Sequence, residues 1–181
     1  FVTHDQGEAL TMSDRVAVFH DGAVVQQGTP DALYSRPQDP FVAGFIGENN
    51  MIEATARRVE GGLTRVELPG GVQLLATAVG AIWANAPVIL AIRPEAISVA
   101  DGDSPAAENT CQARVKGRIY LGDHQRLLAE IDNGPTITVK VAAATGIGAG
   151  DTVALNWAAA DCLAFLAFRL TQDVLNRAWT T

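Results

Sequence analysis

The sequence predicts a mainly β protein: a β-barrel of two related halves over residues 48–165, preceded by a small α/β segment over residues 1–47. Three observations lead there. The first 47 residues mix helix-capping signals with one hairpin signal. From Glu48 onward, strand-length apolar runs alternate with Gly, Asn, Asp and Pro. Within that region "VELPGG" (66–71) is echoed by "AEIDNG" (129–134), and "VILAI" (88–92) by "VALNW" (153–157), at similar intervals. A repeat of this size describes two half-barrels packed face to face, neither able to bury its own apolar face.

The elements follow in order. Phe1-Val2 reads as the end of an apolar strand. Thr3-His4-Asp5-Gln6 then opens a helix, with capping-box spacing at both Thr3/Gln6 and Asp5/Glu8. Ala9, Leu10 and Met12 supply that helix with an apolar face. "RVAVFHDGAVVQQG" is two short strands around Asp21-Gly22, a strong hairpin signal. In "GTPDALYSRP" Thr29 is the N-cap, Pro30 the first helical residue and Pro37 the stop. "DPFVAGFIG" gives one more short helix from Pro40 to about Ile46, closed by Gly47. The polar stretch "DGDSPAAEN" (101–109) is the linker between the two β halves. Residues 166–181 form a tail in which Leu170, Val174, Ala178 and Trp179 have helical spacing.

Composition excludes several classes. No apolar run is long enough to span a membrane, and no basic, apolar leader points to secretion. The formal net charge is −7 with only two lysines, Lys116 and Lys140, and aromatic residues make up 6%. A nucleic-acid partner, which needs a basic face and stacking platforms, is not expected. Cys111 and Cys162 form no CxxC pair, so a reduced, cytosolic setting with both as core residues is expected.

Among residues that could carry chemistry, His4 stands out. It sits where a strand hands over to a helix, a place where α/β sheets bind ligands and where helix N-termini favour anions. An imidazole there can donate a hydrogen bond to a phosphate oxygen. A surface or capping role is the alternative. The His4/Glu8 spacing alone makes no metal site, and none is expected. His20 beside the hairpin turn and His124 in "LGDHQ" read as solvent-exposed. No G-x-x-x-x-G-K-[ST] loop is present, since neither lysine follows a glycine. No Ser-His-Asp or Cys-His set is suggested by spacing.

"VTHDQGEALTMSDRVAVFHDGAVVQQGTPDALYSRPQDPFVAGFIGENN" resembles the end of the nucleotide-binding domain of ABC importer ATPases, from the switch (H-loop) region through the Asp-Gly hairpin. The β region is similar to the regulatory TOBE domain of that group, an OB-like barrel. "LAIRPEAISV" carries its RPE element, and "YLGDHQRLLAEI" matches its second half. The "FIGENN" junction and "YLGDH" look most like the spermidine/putrescine (polyamine) branch.

The resemblance implies that the chain is the C-terminal part of a larger subunit, with Walker A and B, the Q-loop, the signature motif and the D-loop outside it. It makes His4 the switch histidine, the catalytic and ATP γ-phosphate contact of the intact ATPase. ATP and Mg are the implied cofactors of that intact subunit, and none is expected for these residues alone. Arg93 and Glu95 of the RPE element are the implied regulatory residues, although a local ion pair at a strand end would explain them equally. "AAADC" (158–162) lacks a matching Pro-Glu pair. Gly7 stands where glutamate is common. The implied partners are a second copy of the chain and membrane permease subunits, with the protein on the cytoplasmic face of the membrane. Two other readings stand beside this one: an independent OB-like module binding a small ligand or anion, and the ATPase of an importer for sugar, iron or phosphonate.

Overall fold

The computed structural model describes residues 2–100 and 107–167, which fall into two compact units, one ending at Asn49 and the other beginning at Asn50. The expected helical tail lies outside the described residues, except that Leu166 closes the last strand rather than opening that tail.

The first unit holds α1 (Gln6–Met12), β1 (Val16–His20), β2 (Ala23–Gly28), α2 (Pro30–Ser35) and α3 (Pro40–Phe45). Each helix starts on a side-chain cap. The Asp5 carboxylate accepts from the Glu8 amide at 3.1 Å, the Thr29 hydroxyl from the Ala32 amide at 3.2 Å, and the Asp39 carboxylate from the Phe41 amide at 2.8 Å. Proline takes the first turn of α2 and α3, where its missing N–H costs nothing. β1 and β2 pair antiparallel around Asp21 (φ 49°) and Gly22 (φ 76°), both left-handed as the tight hairpin turn demands. Val18, Leu33, Val42 and Ile46 make a small core, with Leu10, Phe41 and Phe45 against it. The half-buried His20 ring stacks on Phe41 at 3.8 Å between centroids.

One expectation is corrected here: Val2 is in no strand and is 93% exposed. The apolar face of α1 stays largely bare: no residue of the helix is buried, Leu10 alone packs on the core, and Met12 is 78% exposed.

The second unit is the duplicated one. Its first half runs β3 (Asn50–Glu60), β4 (Leu63–Glu67), β5 (Gln73–Val79), β6 (Pro87–Ile92), a 3-10 turn (Pro94–Ala96) and β7 (Ser98–Val99). Its second half repeats that order as β8 (Asn109–Tyr120), β9 (His124–Ile131), β10 (Thr136–Ala142), β11 (Thr152–Trp157), a 3-10 turn (Ala159–Asp161) and β12 (Cys162–Leu166).

Simple face-to-face packing does not describe the result, because each half gives its last strand to the other. β12 pairs parallel with β5 and antiparallel with β6, closing a five-stranded OB-like barrel in the order β12-β5-β4-β3-β6. β7 crosses the other way, pairing with β11 at the edge of a curled sheet ordered β10-β9-β8-β11-β7. The second half therefore forms a half-barrel, since β7 is two residues long where β12 has five.

Alternation places Gln125, Leu127, Ala129 and Ile131 of β9 inside, while β6, covered on both faces, is buried continuously from Val88 to Ile92. One continuous core runs through both halves, including Leu74, Leu90, Val115, Leu127, Leu155 and Ala164.

Two polar devices repeat with the fold. β3 carries a bulge between Ala56 and Arg58, and β8 one between Val115 and Gly117. The residue passed over in each is a cation, and each meets the glutamate of the repeated motif on the next strand: Arg57 to Glu67 at 2.9 Å, Lys116 to Glu130 at 2.8 Å. Each half also begins with a buried asparagine that plays the part of a strand residue for the other half. Asn50 donates to the Thr138 carbonyl (2.9 Å) and accepts from the Thr138 amide (2.7 Å). Asn109 donates to the Leu75 carbonyl (2.8 Å) and accepts from the Leu75 amide (2.7 Å). Each amide satisfies one donor and one acceptor on a strand edge that would otherwise be orphaned.

Candidate functional site

The segment Thr3-His4-Asp5 is held by its own side chains. The Thr3 hydroxyl accepts from the Asp5 amide at 3.0 Å and donates to the Glu8 carboxylate at 3.0 Å, while Asp5 caps α1. His4 is thereby fixed in a bend just before the helix, with its side chain exposed. Of the two capping spacings in the sequence, only Asp5/Glu8 works as a cap. Gln6 is used elsewhere: its side-chain oxygen accepts from the Gly47 amide at 3.0 Å, tying the start of α1 to the residues after α3. Sequence reasoning missed that role, because a contact across 41 positions leaves no local pattern. Glu8, considered beside His4 as a metal ligand, has its carboxylate on Thr3. Among the described residues, no group of three His, Cys, Asp or Glu side chains could hold a metal ion.

Arg93, Pro94 and Glu95 follow β6 in the second unit. Arg93 caps the 3-10 turn, its carbonyl accepting from the Ala96 amide at 3.0 Å, and Pro94 is buried while Glu95 is exposed. The matching place after β11 makes the same turn, capped by Ala158 with φ −75° and ψ 150° against −67° and 138° at Arg93. There the residues are Ala159, Ala160 and Asp161. The backbone turn itself therefore forms with neither a guanidinium nor a glutamate. His4 and the Arg93–Glu95 turn belong to separate units.

The remaining candidates have structural roles. His20, expected to face solvent, is half-buried on Phe41 because the hairpin turns back over α3. His124, expected likewise, is also half-buried, with Nδ1 2.7 Å from Asp123 Oδ1; that hydrogen bond, ahead of any other influence, lowers the Asp123 carboxyl below its usual range. The Arg57 guanidinium, through its hydrogen bond and then its charge, does the same to Glu67. Burial pushes the Cys111 thiol up to about 11 and Cys162 to about 12, so both are core groups rather than nucleophiles.

Residues 90–165 match the family model described as the TOBE domain. The spermidine/putrescine import ATP-binding protein PotA of Pseudomonas fluorescens is 41% identical over 140 residues, covering 77% of this chain and 37% of that protein. The protein of the same name from Rubrobacter xylanophilus is 38% identical over 168 residues, covering 90% and 44%. That from Frankia alni is 38% identical over 172 residues, covering 87% and 37%. The chain thus spans about two fifths of the length of these relatives. Among solved structures, the cytoplasmic molybdate-binding protein ModG, in a form with molybdate bound, superposes with a TM-score of 0.60 at 19% identity, over 67% of this chain and 98% of that one. At that identity the likeness is one of fold, and it covers the OB-like architecture built here from two halves. With a TOBE domain over residues 90–165 and these relatives along most of its length, the chain belongs to the PotA-like ATP-binding subunits of ABC importers.

Proposed function

We propose that these residues are the switch segment and regulatory barrel of the ATP-hydrolysing subunit of a polyamine importer. The observation that carries this is the capped bend at Thr3-His4-Asp5. It fixes the backbone on both sides of His4 and leaves the imidazole exposed ahead of α1. In the complete subunit His4 donates a hydrogen bond to the γ-phosphate of bound ATP. A preorganised donor aimed at charge that develops in the transition state contributes chiefly to turnover. ATP and Mg are held by residues outside those described here, so this chain alone does not hydrolyse ATP.

The barrel is the regulatory part, with Arg93 and Glu95 as its contact residues; the resemblance of "LAIRPEAISV" to the RPE element of the TOBE domain supports this reading, and Glu95 is exposed. The subunit works as a pair on permease subunits at the inner face of the membrane, and nucleic acid is not a partner. Among the described residues, no helix is long and apolar enough to cross a membrane.

Polyamine as the solute is supported by the names of the relatives, each a spermidine/putrescine import ATP-binding protein. The test is uptake of radiolabelled spermidine by cells lacking the gene, with and without the complete gene restored. Restored spermidine uptake with unchanged maltose and iron uptake is expected. Spermidine uptake that ignores the gene, or restored uptake of another solute, assigns the importer to a different cargo.

A further inference from the structure

The bonds among Thr3, Asp5 and Glu8 set the shape of the bend that carries His4, but all of them lie within residues 3–8. Where that bend sits on the first unit depends on how α1 is held. The hold is slight, since no residue of the helix is buried. Its half-buried side is Gln6, Ala9 and Leu10, one stripe at i, i+3 and i+4. Leu10 packs on the small core. It lies four residues, about 6 Å of helix, beyond Gln6. An apolar contact at that distance leaves the His4 end of the helix free to swing. Gln6 is the residue of the stripe nearest His4, and it is polar where an inward-facing position is ordinarily apolar.

The partner of Gln6 is a fixed point. Gly47 follows Ile46, which is buried and closes α3 with its amide on the Val42 carbonyl at 2.9 Å. Two residues past Gly47, Asn49 donates to the Ala43 carbonyl at 3.0 Å. The backbone at Gly47 is thus secured to α3 on both sides, and its φ of 72° turns the chain out of the helix. The half-buried Gly47 N–H then needs an acceptor from elsewhere, and Gln6 Oε1 supplies it at 3.0 Å.

We infer that Gln6 is a positioning residue for His4: its bond to the Gly47 amide pins the His4 end of α1 to the end of α3 and so sets where the imidazole stands. The inference rests on the reading of His4 as the donor to the γ-phosphate. Such a donor has to be held to within about 0.5 Å of its working place. A helix end loosened by about 1 Å lowers turnover, while residues outside this chain go on holding the nucleotide.

Two measurements test this. The first needs no nucleotide: amide hydrogen exchange of the full chain by NMR, read at Gly47 and at Glu8 and Ala9, whose amides bond Asp5. Gln6→Leu, which has no acceptor, should speed exchange at all three about tenfold. Gln6→Glu, which keeps an acceptor oxygen, should leave them near the parent rates. The second is ATP turnover by the complete subunit with its permease. Gln6→Leu should lower kcat about tenfold with nucleotide affinity within about twofold. Added to His4→Ala, it should lower kcat no further, because it acts through His4. Unchanged exchange in Gln6→Leu, equally fast exchange in Gln6→Glu, parental kcat in Gln6→Leu, or a further tenfold loss on top of His4→Ala would each overturn the inference and leave the role of His4 standing. Parental turnover in His4→Ala alone would instead remove the reading beneath it, and the inference with it.

Discussion

Gly70 lies against the backbone of Asn133. A methyl group on its Cα would stand 2.0 Å from the Asn133 carbonyl oxygen and 2.7 Å from the carbonyl carbon. The two residues are equivalent members of the repeated motifs "VELPGG" and "AEIDNG", so the barrel's duplicated turns cross at this point. Gly70 adopts φ +100° and Asn133 φ 52°, and the first is open only to glycine without strain.

Gly70→Ala should therefore destabilise the barrel by about 3 kcal/mol or more, combining an unfavourable φ with a backbone collision that no rotamer relieves. Gly71→Ala is the control: its φ is +90° but nothing lies within 4 Å of the added methyl. It should cost about 1–2 kcal/mol. Urea unfolding followed by circular dichroism separates the two. Equal losses would mean that the turn crossing carries no weight.

Asn50→Ala and Asn109→Ala each orphan one backbone N–H and one C=O on the opposite half. Each should cost about 2–4 kcal/mol, since a buried polar group left unpaired loses roughly 1–3 kcal/mol. Asn49, one position earlier, belongs to the first unit and donates to the Ala43 carbonyl within it at 3.0 Å. Its substitution should leave the barrel's denaturant midpoint unchanged while altering that of the first unit.

Acid should weaken the protein through Asp123 and Glu67. Both carboxyls are held below their ordinary range when folded, by His124 and Arg57 respectively. Their contribution is thus fully present above the unfolded carboxylate pKa and is lost as pH falls through the folded value. Each pair has one exposed member, Asp123 in one and Arg57 in the other, so the effect is small and screened by salt. Glu67→Gln should flatten the acid limb of a stability-against-pH curve below about pH 4.5 relative to the parent, measured at low ionic strength. A variant with the parent's acid limb would remove the Arg57 pair from the account.

Cys111 and Cys162 should resist alkylation by iodoacetamide at pH 8 in the native protein, because burial keeps both thiols protonated. Labelling should appear only along the urea unfolding transition. Fast labelling of either at zero denaturant would show that the barrel opens locally.

The sequence made much of this legible where the signal is local. Asp21-Gly22 and Thr29-Pro30 announce a turn and a cap within four residues, and both form as read, as does the short helix opened by Pro40. The repeat was visible in "VELPGG" and "AEIDNG" because both copies keep the glutamate that meets the bulge cation. The strand exchange was not, since periodicity reports that a strand exists and is silent on which sheet receives it. Asn50 and Asn109 open strands like any turn residue, and only partners 88 and 34 positions away reveal them as clamps. His20 was misread for a related reason: the Asp21-Gly22 turn beside it in sequence signals solvent, while its neighbour in space is Phe41. His4 was found by position and by family resemblance, yet the hydroxyl–carboxylate bond that holds its bend rests on Thr3, which in sequence shows only capping-box spacing to Gln6.

The most direct measurement of the central claim is ATP turnover by the complete subunit carrying His4→Ala, assembled with its permease and compared with the parent. Turnover should fall by about 10²–10³-fold while nucleotide affinity stays within several-fold, the pattern of a donor that acts in the transition state. Turnover within threefold of the parent, or a loss that appears wholly in nucleotide affinity, would contradict the role assigned to His4.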